Sequence, residues 1–405
     1  MKEEPNQEEG VARLGSTEGV LFLAIMSLGY AVYAADRSVL SSMLAPIESA
    51  LHLTNPQIGF LGSAQYIGVL AFVFVAGHLS DKYGTRRIIL IGVSIFTAFT
   101  WIIGFSTSFY EAFAFRLVSG FGEGLFWPVA MSAVAKYFGM RKGLALGVFY
   151  AGFDAGSATG LSIGGVTFSL TADWRYAFFV APLLGIAVVA GVFLARDYFV
   201  RADGKPGAIT LGRDALDLLK NRDIQLVMLF ALLATWASVW QVVYLPFYYS
   251  KVLKLSVPLA AFVSSAITIS GGFGKVLLGG ASDKWRRNRM LMVISLVVVL
   301  LYAVFFSATD FYLSATAGLA MGFFSASIFP VMQALMCDSC NGKTGTALGL
   351  TTTAQSVPTV FGTTITAYLF SLGVGKAIAF DAMIPASLML VVALFLKDPR
   401  GAKKA

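Results

Sequence analysis

Asp36, Arg37, Arg116, Glu123, Asp154 and Lys275 stand inside long apolar stretches of the chain. A charge at the centre of a bilayer costs about 2.5–3.5 kcal/mol on insertion scales, so such residues are read first as working groups. Carboxylates can carry protons. Arginine binds a carboxylate through two parallel N–H groups and keeps its charge. Asp36 lies about nine residues before the end of the first run, and Arg116 about eight below the outer end of the fourth; at 1.5 Å per residue both sit at a depth of about 12 Å and can pair. Glu123 follows Arg116 by two helical turns on one face, near mid-membrane. Between them Gly120, Gly122 and Gly124 permit close packing against another helix. Asp154 is also near the middle of its run. Lys275 either contacts a ligand from the second half of the chain or extends toward the cytoplasmic interface. A static Asp36–Arg116 pair and a structural role for Glu123 are the plainer alternatives.

The elements that carry these charges follow from composition. The chain has 405 residues, 57% hydrophobic, 14% aromatic and 13% charged, with a mean hydropathy of +0.76. Soluble domains carry about 25% charged residues. Disorder, a coiled coil, a disulfide scaffold and a cytosolic enzyme are excluded, and an all-α polytopic membrane protein is expected. Twelve apolar runs are long enough to span: about 19–45, 56–79, 88–106, 109–137, 143–169, 174–195, 224–249, 257–281, 290–307, 311–336, 345–371 and 376–396.

The net charge of +8 invites a nucleic-acid reading, but the charges form short clusters between the runs. Most of the 30 Lys and Arg fall in the tails and the even-numbered loops. Arg175, Lys251, Lys254 and Lys376, at the opposite ends of the spans, are the exceptions. By the positive-inside rule both termini are cytoplasmic and no nucleic acid is a partner; the partner surface is the lipid bilayer. The organisation expected is a tail at 1–17, a six-helix bundle at 18–195, a cytoplasmic linker at 196–223, a second six-helix bundle at 224–396 and a tail at 397–405. Residues 1–17 are polar and acid-rich, unlike a signal peptide. Leu211 to Asn221, within the linker, fits a short interfacial helix.

The halves repeat at one constant offset. Gly77-His-Leu-Ser-Asp81-Lys82 matches Gly279-Gly-Ala-Ser-Asp283-Lys284, Trp127-Pro128 matches Phe329-Pro330, and Gly143-Leu-Ala-Leu-Gly147 matches Gly345-Thr-Ala-Leu-Gly349. Duplicated six-helix halves are a transporter architecture, with the substrate held near mid-membrane between repeats. At the same offset Glu123 faces Ser325, Arg116 faces Gly318 and Asp154 faces Ser356. A scaffold requirement is expected in both halves and a chemical one can sit in one, so the first half reads as the coupling half.

Gly77-His-Leu-Ser-Asp81-Lys-Tyr-Gly84-Thr-Arg86-Arg87 resembles the loop 2–3 signature of the major facilitator superfamily, and 279–289, with Asp283, resembles its loop 8–9 counterpart. The resemblance covers nearly the whole chain. It implies the major facilitator fold, twelve transmembrane helices in two pseudo-symmetric halves, working as a monomer. It also implies that Gly77, Asp81, Gly84, Arg86, Arg87 and Asp283 form a gating motif whose contacts hold one access state. In plain physical terms Gly77 and Gly84 allow close approach and a tight turn, and the basic cluster stays at the anionic cytoplasmic face.

Tyr33-Ala-Ala-Asp36-Arg37, with Arg116-Leu-Val-Ser-Gly-Phe-Gly-Glu123-Gly-Leu-Phe-Trp-Pro128 and Trp174-Arg175-Tyr-Ala-Phe178, is similar to the anion:cation symporter branch. That resemblance implies that Asp36 and Glu123 are protonatable, that Arg37 contacts a substrate carboxylate, and that Arg116 pairs with an acid and releases it on protonation. Asp154, added to the coupling set, and Lys275 depart from that branch. The lipid-exporting spinster-like proteins share the Asp-Arg and Gly-Glu pairs.

Other polar and aromatic residues in spans are candidates for the cavity wall: Tyr30, Tyr33, Gln65, Tyr66, Trp236, Trp240, Gln241, Tyr244, Gln333 and Gln355. Gln241 and Tyr244 are favoured because three residues put them on one helical face. The function expected is proton-coupled symport of a small organic anion, a carboxylate or sugar acid, across the cell membrane by alternating access. Protons are the coupling ion and no cofactor is needed. Export of lipids or drugs, or anion exchange, is the alternative. No nucleotide or hydrolase motif points to an enzyme, and Cys337 and Cys340 with two distant His do not make a zinc site.

Overall fold

The computed structural model describes residues 16–138, 142–194, 217–282, 285–340 and 344–399. The expected tails and most of the 196–223 linker lie outside them, as does Asp283. In a bilayer each backbone N–H and C=O must be satisfied within the protein, and the apolar runs accordingly become helices. These are α1 Thr17–Leu51, α2 Asn55–Tyr83, α3 Thr85–Ile103, α4 Phe109–Phe138, α5 Lys142–Thr171, α6 Arg175–Val180, α7 Leu183–Leu194, α8 Arg222–Val243, α9 Leu245–Lys251, α10 Val257–Ala281, α11 Arg287–Ser307, α12 Phe311–Ser339, α13 Thr344–Tyr368 and α14 Val374–Ala393.

Two expected spans are broken. Pro182 separates α6 from α7, and Pro246 opens α9 directly after α8. Proline lacks the N–H that would continue the helix. Polar side chains close several N-termini: Ser16 accepts from Gly19 N at 3.0 Å, Asn221 from Asp223 N at 2.9 Å and Asp310 from Leu313 N at 2.9 Å. Gly84 takes the turn between α2 and α3 with φ 91°, a conformation that favours glycine.

Ten spans among the described residues are long and apolar enough to cross a membrane, one of them, Arg175–Leu194, made of α6 and α7 together. The expected spans at 143–169 and 345–371 form α5 and α13 but are not among those ten. Both are rich in Gly, Ser and Thr, which lowers their hydropathy and suits them to packing inside a bundle. The glycines of α5 show why. A Cβ at Gly156 or Gly160 would overlap the backbone of Ala31 or Ala35 on α1.

The chain divides into two compact units, Met1–Leu53 with Ala64–Pro206, and Thr54–Ser63 with Gly207–Ala405. The opening residues of α2 thus group with the second unit. There Ser63 Oγ accepts from Thr364 Oγ1 at 3.1 Å, and a Cβ at Gly59 would crowd Ala367. Both units use the same close helix approach. Gly120 on α4 meets the backbone of Gln65 on α2, and Gly322 on α12 meets that of Ile267 on α10. These are equivalent positions of the repeat. Large apolar side chains such as Leu170, Phe193, Phe262 and Val276 are exposed on the outside, as a lipid-facing surface requires.

Candidate functional site

The first unit buries a four-charge cluster. Its members come from α1 (Asp36, Arg37) and α4 (Arg116, Glu123), with neutral partners from α2 (Gln65), α3 (Thr100) and α4 (Ser119). Gly120 brings α4 onto α2, and Gly29 lets α1 approach α4, where a Cβ would crowd Phe126.

Asp36 is paired with Arg116 at 2.9 Å. Its Oδ1 also accepts from Thr100 Oγ1 at 2.5 Å, and its Oδ2 from Ser119 Oγ at 2.9 Å and Gln65 Nε2 at 2.6 Å. Arg116 Nη1 reaches the Asp36 carbonyl as well, at 3.3 Å. Both oxygens of the carboxylate therefore have two donors each, close to the full capacity of an ionised carboxylate. Glu123 is held differently. Arg37 gives both Nε, at 2.9 Å, and Nη2, at 2.7 Å, to Oε2. Gln65 Nε2 donates to Oε1 at 2.5 Å. The two hydrogens of one amide thus join the two acids.

Arg37 is the most accessible member. Its side chain is 11% exposed, against 0% for Glu123, 3% for Asp36 and 2% for Arg116. Its guanidinium lies 4.3 Å from the ring centroid of Tyr33 and 4.6 Å from that of Tyr66. Two aromatic faces hold the guanidinium while leaving its N–H edge to an acceptor. A fork of donors beside aromatic rings can hold an anion, and here Glu123 is the acceptor. Tyr33 itself is buried under Arg37.

The other expected residues fall elsewhere. Asp154 is half-buried on α5 near Tyr30, outside the hydrogen bonds that join Asp36 and Glu123. Lys275 and Gln355 are half-buried in the second unit, on α10 and α13. Gln241 is half-buried on α8; its Nε2 donates to Tyr302 Oη at 2.7 Å and its Oε1 accepts from Ser325 Oγ at 3.2 Å. Tyr244, three residues on, keeps the helical register, its N–H bonded to Trp240 O at 2.6 Å. α8 ends at Val243, Tyr244 caps it, and its hydroxyl donates to Thr363 O at 2.6 Å from a fully buried position. Gln241 and Tyr244 thus meet different partners, Gln241 on α11 and α12 and Tyr244 on α13.

Within the gating motif, Arg86 donates to the carbonyls of Val192, at 3.2 Å, and Phe193, at 2.6 Å. It therefore caps the end of α7, where a cation is favourable. Arg87 is exposed. Gly84 makes the tight turn expected of it. Gly77 does not make the expected close approach: a Cβ placed there has nothing within 4 Å among the described residues.

A sequence profile of the Major Facilitator Superfamily matches residues 26–357 and 227–405. The chain belongs to this superfamily. It is therefore a multi-pass membrane protein of a transporter family with the major facilitator fold. A bacterial homologue of the human lysosomal transporter spinster, in an inward-facing and unoccupied crystal form, superposes with a TM-score of 0.74 at 17% identity, over 94% of this chain and 95% of that one. The crystal structure of a D-xylose–proton symporter gives 0.77 at 16% identity, over 93% and 97%. Among sequence relatives, the 3-(3-hydroxy-phenyl)propionate transporter of Escherichia coli is 24% identical over 97% of this chain and 96% of its own length. Protein spinster of Drosophila melanogaster is 29% identical over 47% of this chain, a match that spans only 32% of spinster.

In this superfamily member the repeat keeps positions and changes chemistry. Ser325 and Tyr302 stand at the positions of Glu123 and Thr100, so the Gln241–Tyr302–Ser325 set is a neutral counterpart of the charged cluster. Sequence reading missed Thr100 and Ser119, which look like ordinary span residues until α3 and α4 are placed beside α1. It also missed Asp381, a buried acid on α14. An acid inside the run at 376–396 was the available signal. The second unit thus has a buried carboxylate of its own.

Proposed function

We propose that this protein is a secondary active carrier that couples proton movement to symport of a small organic anion by alternating access. The observation that carries the reading is the Arg37–Glu123 pair. Arg37 is the accessible cation of the cluster, and the acceptor it holds is a carboxylate of the protein itself. A substrate carboxylate has the same shape and charge as the Glu123 head group and can take its place on the guanidinium fork.

Glu123 Oε1 accepts a single donor and keeps a lone pair open, whereas both oxygens of Asp36 are filled. A proton therefore binds Glu123 without displacing a donor. Protonated Glu123 no longer pulls on Arg37, and the guanidinium is released to the incoming anion. In this reading Asp36 is the standing counter-ion of Arg116 and communicates with Glu123 through Gln65. Asp154 and Lys275 are assigned no step. Support also comes from the hydroxyphenylpropionate transporter, a carrier named for a carboxylic acid that aligns over 97% of this chain. On this reading the protein works in the cell membrane as a monomer with both termini cytoplasmic.

The test is proton flux in proteoliposomes with a pH dye inside and a panel of mono- and dicarboxylates, sugar acids and aromatic acids outside. Acidification by one acid, absent with Arg37→Ala, supports anion–proton symport. A response to none of the acids overturns it. Counterflow with preloaded vesicles then separates an anion exchanger from an exporter of lipids or drugs, the reading favoured by the spinster relatives.

A further inference from the structure

The second unit holds a buried acid that the reading above does not use. Asp381 lies on α14, seven residues from its first residue Val374, about 10 Å along the helix axis. Only 5% of it is exposed. Trp236 on α8 donates its indole Nε1–H to Asp381 Oδ1 at 2.8 Å. The second oxygen, Oδ2, is buried with no hydrogen-bond partner. Pro385, four residues further on, has no N–H to give the Asp381 carbonyl, so the backbone acceptor of the same residue loses its helix bond too.

The surroundings offer Asp381 no counter-ion. Among the described residues no Lys or Arg pairs with it. The titratable group that faces it is Tyr302 on α11, whose hydroxyl donates to Ala237 O at 2.8 Å. From α13 the neighbour is Thr366. The Thr366 hydroxyl already donates to Gly362 O at 2.8 Å, so its hydrogen is committed and its oxygen remains an acceptor. With that bond made, Thr366 Oγ1 is free to receive a hydrogen from a protonated Asp381 carboxyl. The contrast with Asp36 is direct: that acid has an arginine and three neutral donors, whereas Asp381 has one neutral donor and an empty oxygen.

We propose that Asp381 is a proton-binding site of the second unit, separate from the Asp36–Glu123 cluster. A proton on Oδ2 removes a charge that nothing compensates in the membrane. It also supplies the hydrogen that Thr366 Oγ1 can accept. Release of the proton leaves Oδ2 without a donor, so the site exchanges its proton when water reaches it. This inference does not depend on how Arg37 and Glu123 act.

The test is infrared difference spectroscopy on the full-length protein in lipid, stepped from acid to alkaline pH. The expected result is a carboxylic-acid C=O band that disappears as pH rises, persists in Glu123→Gln and is missing in Asp381→Asn. Asn keeps the acceptor for Trp236 and gives Thr366 a hydrogen, so it mimics the protonated state. Trp236→Phe removes the one donor to Oδ1 and is expected to move the midpoint of that band; this variant decides the matter if Asp381→Asn fails to fold. A band set unchanged in Asp381→Asn, or a midpoint unmoved by Trp236→Phe, overturns the proposal. Because no substrate is involved, failure here is separate from failure of anion symport.

Discussion

Arg37 directs two of its nitrogens, Nε and Nη2, at a single oxygen of Glu123. The arrangement leaves the other carboxylate oxygen to Gln65 alone, and it puts the most accessible cation of the cluster on a carboxylate that the protein supplies itself. Several consequences of this pairing can be measured.

Arg37→Ala is expected to abolish carboxylate-driven acidification of proteoliposomes. Arg37→Lys keeps the charge but loses the flat fork that lies between Tyr33 and Tyr66. Its uptake should fall at least about tenfold, the equivalent of about 1.4 kcal/mol. Uptake by Arg37→Lys equal to wild type would show that a point charge suffices and that the fork is not used.

Glu123→Gln holds Arg37 with a neutral acceptor and cannot lose or gain a proton. Exchange of labelled anion across the membrane should persist while accumulation against a gradient is lost. Full proton-driven accumulation by this variant would remove Glu123 from coupling.

Asp36→Asn strips the counter-ion from Arg116, which is 2% exposed. An uncompensated buried charge costs about 3–5 kcal/mol, so thermal stability in detergent should drop sharply. The double variant Asp36→Asn with Arg116→Gln should regain much of that loss. Additive losses in the double variant would show that the pair contributes nothing to the fold.

Gly156→Val places side-chain atoms against the backbone of Ala31. It should lower thermal stability by about 1–3 kcal/mol and disturb the cluster by moving α1. Gly147→Ala on the same helix is the control, because a Cβ there meets nothing within 4 Å. Its stability should be unchanged or higher. Equal effects of the two substitutions would contradict the close packing of α1 on α5.

Much of the fold is legible in the chain because hydropathy and the positive-inside rule act along one dimension. The repeat was legible too, and the structure shows what it preserves. Gly120 against Gln65 and Gly322 against Ile267 are the same helix contact made twice. The breaks at Pro182 and Pro246 were harder to place, since a proline within an apolar run can sit inside a helix, as Pro128 and Pro330 do. The partners of Gln241 and Tyr244 were not legible. Three-residue spacing sets them one turn apart on α8, but that the Gln241 amide meets Tyr302 and Ser325 while the Tyr244 hydroxyl meets the Thr363 carbonyl depends on how α11, α12 and α13 pack around it.

By itself the sequence determined which residues carry charge into the membrane, and at what depth. Depth follows from counting residues at about 1.5 Å each, so the shared level of Asp36 and Arg116 could be read from the chain. Only the tertiary structure decided which acid each arginine holds. It also decided that Gln65 joins Asp36 to Glu123, that Thr100 and Ser119 complete Asp36, and that Asp381 has one donor and an empty oxygen. The reason is geometric. A hydrogen bond is set within a few tenths of an ångström by the rotation and separation of neighbouring helices, and those are fixed by side-chain packing between segments far apart in the chain.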